Sequence, residues 1–200
     1  MNKKQENITW FNTWSETYDR YIFRRLLWYW QDKTIAEIPK QAKDILEIGC
    51  GTGIGTEKVA QQFRHSKITA IDLSQRMVQK ARQRLRKYKT VRIRTADVEQ
   101  LPFKQEFDAV FTTEAFHHFS EPKKAVKEMA RVTKKNGTII ITDINIPPLF
   151  IANILFRLEP GFVHLYSKRE MKELFSAARI QGIKQKRTGL LALMTKGKKE

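Results

Sequence analysis

Gly49, Gly51, Gly53 and Gly55 alternate directly after the apolar run Ile45, Leu46 and Ile48, with Glu47 inside that run and Asp72 further along the chain. Glycines at this spacing permit positive φ and let a ligand approach the backbone closely. The segment from Ile54 to Arg64 reads as a helix, so its free N–H groups and positive dipole end face whatever the turn holds. A buried strand, a glycine turn and a helix N-terminus together make a nucleotide-type site. No Gly-Lys-Ser/Thr ending follows, which excludes the phosphate-cradling P-loop. The stretch Gly49-Cys50-Gly51-Thr52-Gly53 is closer to a dinucleotide fingerprint, which also wants an acidic residue about 20 positions on for the ribose. Asp72 fills that place. Glu47 separates the possibilities, because a carboxylate before the first glycine suits a cofactor carrying positive charge and repels a pyrophosphate.

A second set of reactive groups follows a later apolar run. Phe107 to Thr112 reads as a strand that delivers Thr113, Glu114, Phe116, His117 and His118 to the carboxyl edge of a sheet, where open α/β folds bind ligands. The spacing speaks against a metal site here: no second His or Cys pair stands at a suitable distance, and His65 and His164 are isolated. The one cysteine, Cys50, has no basic neighbour and reads as a small packing residue.

The chain from ILEIGCGTG through AIDLS at 70 to 74 and TADVEQLPF at 95 to 103 resembles the class I S-adenosylmethionine-dependent methyltransferases. The further stretches FDAVFTTEAFHHF and GTIIITD resemble their small-molecule branch, which includes the quinone-ring methylating enzymes. The resemblance covers residues 14 to 195. It implies a single Rossmann-like α/β domain over residues 1–200, with a seven-stranded, mostly parallel sheet, an antiparallel last strand and helices on both faces. It also implies S-adenosylmethionine as cofactor, held by Glu47, Gly49, Cys50, Gly51, Gly53, Asp72 and Leu73. Asp97 would accept the adenine amino group, with the Val98 N–H near a ring nitrogen and Thr113 on the pocket wall. Ser15-Glu16-Thr17-Tyr18-Asp19 is similar to the family element that covers the cofactor, which puts Tyr18 over its methionine end. If the acceptor is a hydroxyl, an amine or an activated carbon, a general base is useful, and His117, His118 and Glu114 are the catalytic candidates.

The elements that must position these groups follow from periodicity. Residues 1 to 9 are polar and expected to be mobile, and residues 10–40 form a helical cover bearing Trp10, Trp14, Tyr18, Tyr21 and Trp28, stopped by Pro39. Strands are expected at Lys67 to Ile71, Val91 to Arg94 and Thr138 to Thr142. Helices are expected from Ser74 to Tyr88 and from Glu121 to Thr133, with a turn from Lys134 to Gly137. Residues 144–166 form a variable region whose apolar part, Ile144 to Phe156, either lids the pocket or packs on the core. Ser167 and Glu170 make a capping box, and a closing hairpin turns at Thr188-Gly189.

Composition bounds the partners. The chain has 200 residues and a formal charge of +17, so both RNA and an anionic membrane are candidate partners beside a generally basic surface. Arg76, Lys80, Arg84 and Lys87 form a basic stripe on one helix. No apolar stretch approaches the roughly 20 residues that span a bilayer, which with the polar start points to a cytoplasmic protein with peripheral membrane contact. The expected acceptor is a small apolar or amphiphilic molecule, quinone-like or lipid-like. RNA methylation and cofactor binding without catalysis are the alternatives.

Overall fold

A computed structural model describes residues 3–14 and 24–200. Its framework is a seven-stranded sheet in the order β3-β2-β1-β4-β5-β7-β6. The strands are β1 (Asp44–Ile48), β2 (Lys67–Asp72), β3 (Val91–Thr95), β4 (Phe107–Thr113), β5 (Thr133–Ile144), β6 (Ile180–Thr188) and β7 (Ala192–Lys199). β1 to β5 pair in parallel, and β7 is antiparallel to both its neighbours. The described helices are α1 (Lys3–Trp14), α2 (Arg24–Ile35), α3 (Ile54–Gln62), α4 (Gln75–Leu85), α5 (Pro122–Val132), α6 (Leu149–Phe156) and α7 (Lys168–Ala177).

The central strands are apolar on both faces because helices cover both sides. Ile45, Leu46, Val110, Phe111, Ile139, Ile140 and Ile141 are all buried. Leu46, Val110 and Ile139 pack with α5 and α7 residues such as Val126, Met129 and Phe175. Ile45, Phe111 and Ile140 pack with Val59 of α3 and Ile35 of α2 on the other face. β1 sits between β2 and β4, so the chain runs outward one way through β2 and β3 and then the other way through β4 and β5. Parallel strands diverging from this reversal leave a crevice at their carboxyl ends.

Three elements depart from their expected form. Residues 3–9 are the first turns of α1 and not a loose end. Their low amphipathic signal hides a helix pinned by polar contacts: Asn7 Nδ2 donates to the His118 carbonyl at 2.8 Å, and Ser74 Oγ donates to Asn12 Oδ1 at 2.7 Å. The turn expected at Lys134 to Gly137 is absorbed into β5, where Thr133 already pairs with Phe107 and the register shifts before Ala109. Asn136 supplies the left-handed residue, at φ 64°. β7 continues to Lys199 because β5 and β6 pair with it through Lys198 and Lys199. Tyr18 and Tyr21 lie outside the described residues.

The expected capping box is present at the start of α7. Ser167 Oγ accepts from the Glu170 N–H at 3.2 Å, and Glu170 Oε2 accepts from the Ser167 N–H at 2.8 Å. Ser167→Ala should cost about 1 kcal/mol. Thermal unfolding should show it as a midpoint lower by about 2–4 °C.

Candidate functional site

A pocket opens at the carboxyl ends of β1 to β4, where the topology reverses. The glycine turn forms its floor through a short set of backbone bonds. The Gly49 and Cys50 N–H groups both donate to the Ile71 carbonyl, at 2.8 and 3.0 Å, and the Gly53 N–H donates to the Cys50 carbonyl at 2.9 Å. Gly49 has φ 72°, and a Cβ there would lie 2.6 Å from the Ala115 Cβ. Glycine is therefore required both by conformation and by the close approach of the β4 loop.

Asp72, Glu47 and Asp97 are among the carboxylates that line the pocket. Asp72 Oδ2 accepts from the Gly51 N–H and Oδ1 from the Ser74 N–H, both at 2.8 Å, so this residue shapes the glycine turn as well as lining the pocket. Burial pushes its pKa up, against the pull of the N–H donors. Glu47 is buried and accepts from Thr56 Oγ1 at 2.6 Å; burial raises its pKa to about 7, with the charge of Asp72 adding to the shift. A buried carboxylate with that poise fits a ligand that brings a cation. Asp97 Oδ1 accepts from the Glu99 N–H at 2.9 Å, and Lys4 of α1 reaches Asp97 Oδ2 at 2.7 Å and also pairs with Glu99. Leu73, Val98 and Thr113 also line the pocket, beside Cys50, Gly51 and Ala115. Burial pushes the Cys50 thiol well up, which keeps it protonated and unreactive.

The three catalytic candidates separate. Glu114 lines the pocket in a left-handed conformation, φ 60°, with its N–H donating to the Thr142 carbonyl. For a residue other than glycine this strain costs on the order of 1–3 kcal/mol, and it is of the kind found at functional positions. His118 also lines the pocket, with the Phe11 ring edge-on at 5.0 Å. Burial and the neighbouring His117 hold its pKa well below the usual value, so its imidazole is neutral. His117 does not line the pocket. Its N–H and Nδ1 both engage the Asp143 carboxylate at 2.6 Å. Burial opposes its protonation, but the attraction and hydrogen bond of Asp143 outweigh that and raise its pKa.

Several contributors carry weak or no sequence signal. Asp143 ends an apolar strand at the carboxyl edge, a position that could have been picked out by the rule that found Asp72. Glu159 has no such signal; the chain after α6 brings its Oε1 to 3.7 Å from His118 Nε2. The expectation from spacing considers only a second His or Cys pair and leaves out a carboxylate such as Glu159. Lys4, Asn7 and Ile8 of α1 line the pocket from a segment expected to be loose, and Phe11 lines it from the expected helical cover. Conversely, no residue from 144 to 156 lines it. The inner side of that segment, with Ala152, Leu149 and Phe156, instead packs on Phe162 and Leu165.

Residues 46–141 match the family model described as a methyltransferase domain. Over 128 residues the chain is 33% identical to the malonyl-[acyl-carrier protein] O-methyltransferase of Paenibacillus sp. (strain JDR-2), covering 61% of this chain and 44% of the relative. Over 117 residues it is 33% identical to the demethylmenaquinone methyltransferase of Clavibacter sepedonicus, covering 58% and 47%. The chain thus spans about half the length of these curated relatives. A crystal structure of an S-adenosylmethionine-dependent methyltransferase from Aquifex aeolicus has the same fold, with a TM-score of 0.67 at 22% identity over 85% of this chain and 89% of that one. The sheet order, the glycine turn with its acidic neighbours and these matches agree: residues 46–141 are a methyltransferase domain, built on the fold of the S-adenosylmethionine-dependent methyltransferases.

Proposed function

We propose that the protein transfers a methyl group from S-adenosylmethionine to a small apolar or amphiphilic acceptor, quinone-like or lipid-like. The observation that carries the reading is the pocket itself, in which Glu47, Asp72 and Asp97 line one wall while Glu114 and His118 come from the end of β4. In this reading Glu47 faces the charged methionine end and Asp72 takes the ribose hydroxyls. Asp97 accepts the adenine amino group, and Leu73, the Val98 N–H and Thr113 complete the wall. The Gly49 to Gly53 backbone lies against the cofactor. When bound, the sulfonium supplies an already activated methyl group. The chain's own work is to hold the acceptor in line and to exclude water. Glu114 and His118 are the polar groups placed to take a proton from the acceptor.

The outer face of α6 supports an apolar acceptor. Phe150, Ile154 and Leu155 are 69%, 59% and 63% exposed, and Leu158 just beyond is 88% exposed. A contiguous apolar surface of this kind marks an interaction site. Among the described residues no helix is long and apolar enough to cross a membrane. Basic residues at an anionic surface would each contribute about 1 kcal/mol to docking. Such a surface could supply a greasy molecule.

The test is methyl transfer from labelled S-adenosylmethionine to separated fractions of the source cell: lipid extract, carrier-protein-bound acyl groups and RNA. Label is expected in the lipid extract, falling about tenfold or more in a variant with Phe150, Ile154, Leu155 and Leu158 all changed to serine, about 1.4 kcal/mol or more. Label recovered only in nucleotides, or only on a carrier protein, would replace this acceptor class with the corresponding one.

A further inference from the structure

We propose that His117, His118 and Glu159 form a binding site for a divalent first-row transition metal ion of the zinc type. Each of the three offers one ligand-capable atom, and these atoms lie within 4.8 Å of one another. The two imidazole centroids are 4.1 Å apart, and His118 Nε2 stands 3.7 Å from Glu159 Oε1. That gap is too long for a hydrogen bond. It is slightly wider than the edge of a tetrahedron around zinc, about 3.3 Å for bonds of about 2.0–2.1 Å, and closing the whole set, whose atoms lie within 4.8 Å of one another, takes side-chain movements of up to about 1.5 Å.

The surroundings have the form that metal-binding histidines require. Asp143 receives both the backbone N–H and Nδ1 of His117, which fixes the ring and makes Nε2 the atom a metal would take in place of a proton. The segment after Glu159 is tied to the same residue, because the Val163 N–H donates to the His117 carbonyl at 2.9 Å. His118 is held from the other side by Phe11 and by the Asn7 bond to its carbonyl. Two imidazoles and one carboxylate suit zinc, iron(II) or cobalt(II), whereas magnesium and calcium want oxygen throughout. Three protein ligands leave a position for water or another oxygen donor. Because His118 also lines the pocket, an ion here would stand at the pocket boundary and commit the His118 lone pair, leaving Glu114 as the base. That last consequence rests on the methyl-transfer reading; the metal site does not.

The competing explanation is that the three groups are an ordinary charged contact, and metal titration separates the two. Untagged, chelator-stripped protein would be titrated with zinc by calorimetry and with cobalt(II) by visible absorption. S-adenosylhomocysteine binding would be measured on the same samples. One equivalent of zinc and cobalt(II) d–d bands are expected in the wild type. Asp143→Asn should weaken zinc about 10–100-fold, and Glu159→Gln should weaken it at least as much. Glu159→Gln leaves the pocket wall untouched, so retained S-adenosylhomocysteine binding certifies its fold. No stoichiometric zinc in the wild type, or equal affinity in a folded Glu159→Gln, overturns the site. Loss of S-adenosylhomocysteine binding by the wild type with zinc uptake intact would overturn the cofactor reading and leave the metal site standing.

Discussion

Gly49→Val should abolish measurable binding of S-adenosylmethionine and its demethylated product. The residue sits at φ 72°, which a β-branched side chain does not tolerate, and even its first carbon would stand 2.6 Å from the Ala115 Cβ. Either the glycine turn or the β4 loop must move, and both line the pocket. Because such a change could unfold the protein, Asp72→Ala is the companion test. It removes an acceptor that serves the Gly51 and Ser74 N–H groups and, in the proposed role, the ribose. Losing a charged acceptor costs about 1.5–3 kcal/mol, on the order of 10–150-fold in affinity. Calorimetry and circular dichroism on both variants check this. Unchanged affinity in folded Asp72→Ala would remove Asp72 from the cofactor site.

What the sequence shows of this site is what short-range rules encode. The turn glycines, Asp72 at its strand end and the capping box of α7 each depend on neighbours within a few positions. Periodicity likewise places β1 to β4 to within a residue or so of their observed ends. The extension of β5 back to Thr133 fails the local rule, because pairing with Phe107 overrides the turn preference of Asn136 and Gly137. Asp143, Glu159 and Lys4 escape for a related reason. Asp143 meets His117 across the β4–β5 pair, Glu159 returns to His118 from beyond α6, and Lys4 reaches Asp97 and Glu99 from α1. Partners that far apart in the chain leave no spacing to read. The side chains of α6 were legible as apolar residues, but not which of them stay exposed. Deciding that needed the packing of Ala152 and Leu149 on Phe162 and Leu165.

The second large effect is expected from Glu47→Gln and concerns pH. Glu47 has a raised pKa of about 7 in the folded protein, against an ordinary glutamate value near 4.5, because burial disfavours its charge and Asp72 adds to the repulsion. Below the unfolded value both states hold the proton, and its contribution to stability is fully present. As pH rises from there through about 7, the unfolded chain ionises first and that contribution is lost; in the proton-linkage relation the loss amounts to about 3 kcal/mol. Glutamine keeps an acceptor for Thr56 Oγ1 and does not titrate. The difference in stability between variant and wild type should therefore move in favour of glutamine by about that amount between pH 4.5 and 8, whatever constant offset the amide introduces. Asp72 and the other acids are common to both proteins and cancel in this comparison. Cofactor affinity should run the other way. A cation beside Glu47 favours its ionised form, so wild-type affinity should rise between pH 5.5 and 7 with release of a proton, while the glutamine variant lacks this component. At pH 7.5 the variant should bind about 10–150-fold more weakly, having lost a charge-assisted contact of about 1.5–3 kcal/mol. Urea titrations across this pH range, with calorimetry in buffers of different ionisation enthalpy, measure both halves. Parallel stability curves for the two proteins, with equal proton release on binding, would show that Glu47 is not the group that meets the cofactor's charge.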